Sequence, residues 1–144
     1  MAALLLDTHV LLWYFTQGSL SPEALLAIAE AQEEGQLYIS AISAWELGVS
    51  QLKTNPAKRP DLRGLSPAVW FQRAQRNIGA KAIQLDWDVA LEAANVPSIY
   101  GSGDPGDCFL IATAHRRKLM LVTRDRNILR LSAQSPKYLK TVVC

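Results

Sequence analysis

Five acidic residues of this 144-residue chain stand where a parallel α/β sheet would gather them. Asp7 directly follows a short apolar segment, and Asp125 follows a second one. Glu46 lies inside an otherwise apolar helical segment, and Asp104 and Asp107 begin another. Asp104 and Asp107 are three residues apart and can share a helical face. Because ligands of such sheets bind beyond the carboxyl ends of the strands, we expect these carboxylates to lie together at one edge.

A cluster of carboxylates needs compensating charge. At an effective dielectric of ~20, two unit charges 4 Å apart repel by about 4 kcal/mol. No Lys or Arg adjoins Asp7, Glu46, Asp104 or Asp107 in the sequence. Oxygen ligands without cysteine or paired histidine favour Mg²⁺ or Mn²⁺ over Zn²⁺, and such ions activate water for phosphodiester cleavage. The acids therefore predict a metal-dependent phosphodiesterase site.

Each acid also has a simpler explanation, and these alternatives stay open. Asp104 precedes Pro105, as a helix N-cap often does, and Asp125 fits a turn or cap. Glu46 fits a partly exposed helical position. Asp7 is the hardest to explain in this way, because a charge directly after a buried strand needs a partner.

The elements that must position the acids alternate between strands and helices. Apolar segments predict strands at Ala3–Leu6, Leu37–Ser40, Lys81–Leu85 and Met120–Thr123, with an edge strand at Thr141–Val143. Periodicity and caps predict helices at His9–Phe15, 22–34, Ser43–Leu52, 67–78, 87–96, Pro105–Arg117 and Arg124–Leu131. Loops are predicted at Lys53–Gly64 and Pro97–Gly103. This alternation predicts an α/β domain with a mostly parallel sheet.

Composition and charge set wider bounds. The length fits one domain over residues 1–144, and 49% of the residues are hydrophobic, enough for a sizeable core. The net charge is only +2, but residues 1–52 contain no Lys or Arg and residues 53–144 contain all fifteen. This asymmetry is a mild indication of a phosphate-rich partner, although taken alone it favours an ordinary solvated surface.

The cysteines and the N-terminus favour a cytoplasmic protein. Cys108 and Cys144 are too few for a disulfide framework, and Cys108 fits a small core residue. Asp7 interrupts the first apolar segment, so no secretory signal is predicted. No stretch of 18 uninterrupted apolar residues occurs, so no membrane span is expected.

Four short motifs resemble those of one protein family in order and spacing. They are Leu4–His9, Ser43–Leu47, Asp104–Asp107 with the Leu110–Ala114 segment behind it, and Leu121–Asp125. Together they resemble the PIN-domain family, and within it the VapC-like toxin ribonucleases of toxin–antitoxin systems. Each motif alone is weak, whereas four in order are specific.

The resemblance implies a three-layer α/β/α sandwich and an endoribonuclease that uses Mg²⁺ or Mn²⁺. Asp7, Glu46, Asp107 and Asp125 match the family's metal-binding acids, and Asp104 matches an additional catalytic acid. The implied partners are an RNA substrate, a cognate antitoxin and a second copy of the chain. The subgroup commonly has His, Phe and Arg where this chain has Ser102, Gly106 and Cys108.

Residues beside the acids are candidates for substrate binding. Thr123 precedes Asp125, the acid of the last motif, and can hydrogen-bond a neighbouring carboxylate or a metal-bound water. Arg116 and Arg124 can guide the phosphate backbone of the substrate. Arg116 also suits compensation of a helix dipole. His9 fits a helix-start residue better than a catalytic one. Core or dimer packing is predicted for the tryptophans at positions 13, 45, 70 and 87.

Other functions remain open. A haloacid-dehalogenase-like phosphatase would need an Asp two residues after Asp7, where His9 stands. A receiver domain would need paired acids after its first strand and a Lys after its last, and neither is evident. A non-catalytic PIN-like module that binds RNA or protein is the remaining alternative, and loss of a motif acid would favour it.

Overall fold

A five-stranded parallel sheet forms the centre of the protein. The structure, a computed structural model, describes residues 2–16, 18–101 and 103–144. Its strand order is β3-β2-β1-β4-β5, and every described pair of neighbours is parallel. The strands are β1 (Leu4–Leu6), β2 (Leu37–Ser40), β3 (Lys81–Ile83), β4 (Met120–Thr123) and β5 (Lys140–Val143). The predicted mostly parallel sheet is therefore confirmed.

Helices cover both faces of this sheet. They are α1 (Thr8–Phe15), α2 (Pro22–Glu34), α3 (Ala41–Ser50), α4 (Pro67–Ile78), α5 (Trp87–Tyr100), α6 (Pro105–Arg117) and α7 (Arg126–Gln134). One hydrophobic core joins the sheet to α1, α2 and α4, and the other joins it to α5, α6 and α7. Central strands with apolar side chains on both faces require cover on both sides. The three-layer α/β/α architecture is thus confirmed.

Local signals set most helix ends. Ser21 and Ser66 cap α2 and α4, each followed by a proline at the first helical position. Gly35 and Gly79 end the same helices in the left-handed conformation, with φ of 66° and 72°. These boundaries agree with those expected from the sequence, because each signal acts within a few residues of the helix it ends.

Helix α5 is longer than predicted. It continues through Pro97 to Tyr100 and ends at Gly101, which has a φ of 77°. Val96 is fully buried, and Tyr100 packs against the same core, so tertiary contacts outweigh the hydrogen bond that proline removes. The predicted loop at Pro97–Gly103 is therefore wrong for its first four residues.

The strand order creates a switch point between β1 and β4. From β1 the chain moves to β2 and β3 on one side, and β4 and β5 lie on the other. The backbone N–H of Asp7 donates to the carbonyl of Val122 at 3.0 Å, which joins the two strand ends. Crevices at such switch points are the usual ligand sites of open parallel sheets.

Two further expectations concern cysteines and membranes. Cys108 and Cys144 are 4% and 7% exposed, and neither forms a disulfide. The core position expected for Cys108 is confirmed. Across the described ranges, each helix is too short or too polar to span a bilayer.

Candidate active site at the carboxyl edge of the sheet

Asp7 stands at the centre of the site, between β1 and α1. It is 7% exposed and occupies the N-cap position of α1, but its side chain makes no capping hydrogen bond. Instead its Oδ2 accepts a hydrogen bond of 2.7 Å from the hydroxyl of Thr123. Burial raises the pKa of Asp7, and the charge of Asp125 raises it further, whereas the Thr123 bond and the charge of His9 lower it.

Thr123 connects two of the acids. Its hydroxyl donates to Asp7 and accepts from the backbone N–H of Asp125 at 3.1 Å. The expected bond to a neighbouring carboxylate is thus present. Asp125 in turn caps α7, because its Oδ1 accepts from the N–H groups of Asn127 and Ile128 at 2.8 and 3.0 Å. The hydroxyl of Thr123 is buried and already bonded on both sides, a position that does not favour contact with substrate. Its role in substrate binding stays a prediction.

Glu46 reaches the site from the second turn of α3. The hydroxyl of Thr8 donates to its Oε1 at 2.5 Å, and the hydroxyls of Thr8 and Ser43 lie 2.8 Å apart. Because the proton of Thr8 goes to Glu46, Ser43 must donate to Thr8. Burial raises the pKa of Glu46, and repulsion from Asp7 and Asp104 adds to the increase.

Gly106 leaves the space that the Glu46 carboxylate occupies. A β-carbon placed on Gly106 would lie 2.5 Å from Cδ of Glu46 and 3.0 Å from its Oε1. Real β-carbons essentially never come closer than 3.0 Å to a non-bonded heavy atom, so a side chain at position 106 would force the Glu46 carboxylate to shift. Lack of a side chain at this position therefore allows α3 and α6 to bring Glu46 against the first turn of α6.

Asp107 and Asp104 begin α6 in different roles. Asp104 caps the helix, because its Oδ1 accepts from the N–H of Asp107 at 3.1 Å. Oδ2 of Asp107 accepts from the hydroxyl of Tyr100 at 3.0 Å. Burial and the charge of Asp104 raise the pKa of Asp107 to about 7, although the bond from Tyr100 lowers it.

The five predicted acids are thereby brought close enough to repel each other. The negative charges of Asp104, Asp7 and Asp125 destabilise the ionised form of Asp107. Those of Asp7 and Asp104 do the same to the ionised form of Glu46. In the described ranges, the ion pairs join Asp86 and Asp88 to Arg116 and Arg117, and none involves Asp7, Glu46, Asp107 or Asp125. The cluster therefore holds negative charge that a cation would stabilise.

The donor set fits a hard divalent cation. All of its ligating atoms are carboxylate oxygens, and burial with mutual repulsion already penalises the ionised cluster. No three potential ligands among residues 2–16, 18–101 and 103–144 already converge as a metal site. An ion held here would need bridging water or small side-chain rotations, and Mg²⁺ commonly keeps several waters.

The basic residues predicted to guide RNA have structural partners. Arg116 and Arg117 pair with Asp88, and Arg117 also with Asp86, at the far end of α6 from the acids. A 13-residue helix is about 20 Å long. The substrate role of Arg116 stays a prediction that this position does not favour.

Arg124 is held between α1 and the C-terminus. Its Nε donates to the carbonyl of Cys144 at 3.1 Å, and its Nη2 bonds the carbonyl of Ser19. Its guanidinium lies 4.2 Å from the centre of the Trp13 ring. These contacts give Arg124 a structural role beside the site, and its substrate role stays a prediction.

The tryptophans divide into buried and exposed ones. Trp70 is 7% exposed and lies in the core, as predicted. Core packing is wrong for Trp45 and Trp87, which are 51% and 78% exposed. Trp13 packs against the core at its edge. For these two exposed indole rings the predicted alternative of dimer packing stays a prediction.

Sequence reasoning missed the residues that hold the acids in place. Thr8, Ser43, Tyr100 and Gly106 carry no signal of their own, because each acts through a residue distant in sequence. Thr8, Ser43 and Gly106 lie inside the short motifs, whereas Tyr100 falls in the segment predicted to be a loop. Ser102, a departure from the family pattern, lies outside the described residues.

A cavity of about 570 Å³ opens beside the acids, between α1, α3 and the chain that follows α3. Its lining includes the acids Glu46, Asp104 and Asp61 together with the cations Lys53, Lys58 and Arg59. The site therefore continues from the carboxylates into a cleft large enough for a substrate segment.

Comparison with known proteins adds a family and a set of folds. A family model described as PIN domain matches residues 4–134. Ribonuclease VapC38 of Mycobacterium tuberculosis (strain ATCC 25618 / H37Rv) is 35% identical over 92 residues. That match covers 64% of this chain and 64% of the relative, slightly less than two thirds of its length.

Two solved structures resemble this chain over almost its whole length. DNA-bound VapBC from Salmonella typhimurium matches with a TM-score of 0.65 and 17% identity, covering 99% of this chain and 98% of that one. VapBC2 from Rickettsia felis, bound to a promoter DNA fragment, matches with a TM-score of 0.66 and 11% identity, covering 96% of each. At such identities the likeness is one of fold.

Proposed function

This chain belongs to the PIN-domain family, and from that premise we propose that it is an endoribonuclease dependent on Mg²⁺ or Mn²⁺. We further propose that it is the toxin of a toxin–antitoxin pair and acts in the cytoplasm. The name of its relative, a VapC ribonuclease, supports RNA as the substrate. The observation that carries the proposal is the cluster of carboxylates around the switch point between β1 and β4.

Each catalytic acid has a position consistent with this function. Asp7, Glu46, Asp107 and Asp125 would hold the ion, with Asp104 joining directly or through water. A bound divalent cation supplies a Lewis acid and lowers the pKa of water. Glu46 lines the cavity, which supports a role for it in accepting a proton from an attacking water. Hydrolysis breaks the bond between phosphorus and the 3′ oxygen, giving a 5′-phosphate and a 3′-hydroxyl.

Neighbouring residues keep the carboxylates oriented. Thr123 fixes Asp7, Thr8 fixes Glu46 and Tyr100 fixes Asp107, each through one hydrogen bond. These bonds reduce the rotation that the cluster would otherwise need before catalysis.

Partners follow from the same proposal. An antitoxin that inhibits by occlusion would place an Arg or Lys against the acid cluster, because a guanidinium matches a carboxylate with two hydrogen bonds. A homodimer could form on an apolar surface that includes Leu25 and Leu26, which are 47% and 61% exposed.

Metal removal tests the proposed activity directly. We expect the chain treated with EDTA to lose RNA cleavage, and added Mg²⁺ or Mn²⁺ to restore it, because no ion pair among the described residues neutralises Asp7, Glu46, Asp107 or Asp125. The measurement is cleavage of a labelled RNA on a denaturing gel, with isothermal titration calorimetry of Mg²⁺ as a second readout. Undiminished cleavage in EDTA would exclude the proposed mechanism.

Substitution of Gly106 tests the placement of Glu46. We expect Gly106→Ala to turn the carboxylate away from Thr8 and to lower the cleavage rate by about 10–100-fold, since a displacement of 1 Å can cost that much. Its thermal stability should change little, because the flexible end of Glu46 can move.

Gly48→Ala is the matched control. A β-carbon on Gly48 meets no atom within 4 Å. The substitution is again glycine to alanine, and it lies in α3, the helix that carries Glu46. We expect full activity and a stability gain of about 1 kcal/mol from helix propensity. Equal activity in both variants would show that the position of Glu46 does not matter for the rate.

A further inference from the structure

The connection between α3 and α4 is the first basic segment of the chain. No Lys or Arg occurs in residues 1–52, whereas residues 53–64 contain Lys53, Lys58, Arg59 and Arg63 with the single acid Asp61. All four cations are exposed. Within the described part of the chain, none of them takes part in a salt bridge. This segment therefore presents uncompensated positive charge.

The connection is held in place rather than left loose. Leu62 is 4% exposed and packs in the core beneath it. Oδ1 of Asp61 accepts from the N–H of Arg63 at 2.8 Å, and the side chain of Gln51 donates to the carbonyl of Pro60 at 3.3 Å. The backbone of the connection is thereby held in a defined position relative to α3. Binding through its cations therefore loses less conformational entropy than binding through a loose segment.

These cations form one wall of a groove that begins at the acid cluster. The cavity of about 570 Å³ is lined by Glu46 and Asp104 and also by Lys53, Lys58 and Arg59. A second cavity of about 430 Å³ shares Thr16 and Asp61 with the first and adds Arg63 and Arg73 to its lining. The two cavities are therefore neighbours along one path, here called the basic groove.

Aromatic surface lies along the same path. Trp45 and Trp13 line the first cavity, and Trp45 is 51% exposed. An exposed indole beside a cationic wall is the combination that binds single-stranded nucleic acid, since bases stack on the ring and phosphates follow the charge. This placement also accounts for an exposed tryptophan one residue before Glu46.

We propose that the basic groove holds the single strand of RNA next to the bond that is cleaved. Lys53 and Lys58 contact its phosphates, and Trp45 stacks on a base. The inference rests on the proposed ribonuclease function and names the substrate path for it. It replaces Arg116 as the principal phosphate contact, because that residue lies at the far end of α6.

Charge decides between RNA and a protein segment as the occupant. A basic inhibitory segment would be attracted to Glu46 and Asp104 but repelled by Lys53, Lys58 and Arg59, which line the same groove. An RNA strand suits these cations, and its cleaved phosphate needs only a divalent cation at the acids. The polyanion therefore matches the groove better than a basic peptide.

The test compares Lys53→Gln/Lys58→Gln with the wild-type chain. Binding of a fluorescein-labelled single-stranded oligoribonucleotide is measured by anisotropy in EDTA, at several KCl concentrations. We expect affinity about tenfold lower at moderate salt, and a slope of log K against log salt reduced by about 1.4, since each phosphate contact on a single strand contributes ~0.7. In Mg²⁺ the KM for cleavage should rise while kcat changes less.

Lys137→Gln/Lys140→Gln is the matched control, because both lysines are exposed, one in the turn before β5 and one at its first residue, and neither lines the groove. Unchanged binding in this control together with the loss above supports the proposal. Equal losses in both double variants, or none in either while RNA is cleaved, would overturn it. An oligoglutamate peptide that displaces the RNA at equal concentration would overturn it in favour of an acidic protein partner. If the wild-type chain binds RNA through the groove but cleaves none, the ribonuclease proposal fails and the binding inference stands.

Discussion

Asp7→Asn should abolish RNA cleavage while making the metal-free chain more stable. Asparagine keeps the shape of the side chain and can still accept the hydrogen bond from Thr123, but it removes the charge from a site that is 7% exposed. We expect the rate to fall by at least about 10²-fold, the usual range for loss of a catalytic group. Because burial raises the pKa of Asp7, the ionised form destabilises the folded chain above the usual pKa of 3.8, so removing it raises the melting temperature at pH 7.

Asp86→Asn supplies the control for this result. Asp86 is exposed, pairs with Arg117 and lies at the other end of α6 from the acids. The same exchange there should leave cleavage unchanged and should not raise the melting temperature. Full cleavage by folded Asp7→Asn protein would remove Asp7 from the proposed mechanism.

Asp107→Asn should lower activity much more than Asp104→Asn. Asp107 is the more buried of the two, and its carboxylate faces Tyr100 within the cluster. Asp104 caps α6, and asparagine caps a helix about as well as aspartate, so that variant keeps the helix start. We expect a loss of at least about 10²-fold for Asp107→Asn and a clearly smaller loss for Asp104→Asn. Side-by-side single-turnover rates on one RNA substrate measure the difference.

The pH dependence of stability offers an independent measure of Asp107. Its pKa is raised from 3.8 to about 7, so the folded metal-free chain binds more protons than the unfolded chain between these values. Stability of the wild-type chain should therefore fall as pH rises from about 4 to about 7. Asp107→Asn should flatten this fall. Equal or reversed rate losses in the two variants would contradict Asp107 as the principal ligand, and an unchanged pH profile would contradict its raised pKa.

The sequence by itself determined the strands, most of the helices and the acids that follow the strands. Leu37–Ser40, Met120–Thr123 and Pro105–Arg117 have the predicted bounds, because short apolar segments and caps act on their own neighbourhood. Residues that directly follow parallel strands lie at one edge of the sheet whatever the strand order. The sequence alone therefore predicted that Asp7 and Asp125 lie near a common site. The four motifs in order carried the family resemblance.

Only the tertiary structure decided how the acids are held and where the substrate path runs. The bond from Tyr100 to Asp107 requires α5 to continue through Pro97, and the packing of Val96 and Tyr100, not a local preference, sets that length. The fit of Glu46 against Gly106 depends on the close approach of α3 and α6.

The basic residues show the same division. Arg116 and Lys53 look alike in sequence, since both are cations near helix C-termini. Packing of α5 against α6 places Arg116 beside Asp88, whereas the connection after α3 leaves Lys53 on the cavity that opens from Glu46. Periodicity reports which face of one element is apolar. It carries no information about which two elements meet, and that pairing decides which charges are neutralised and which remain for a ligand.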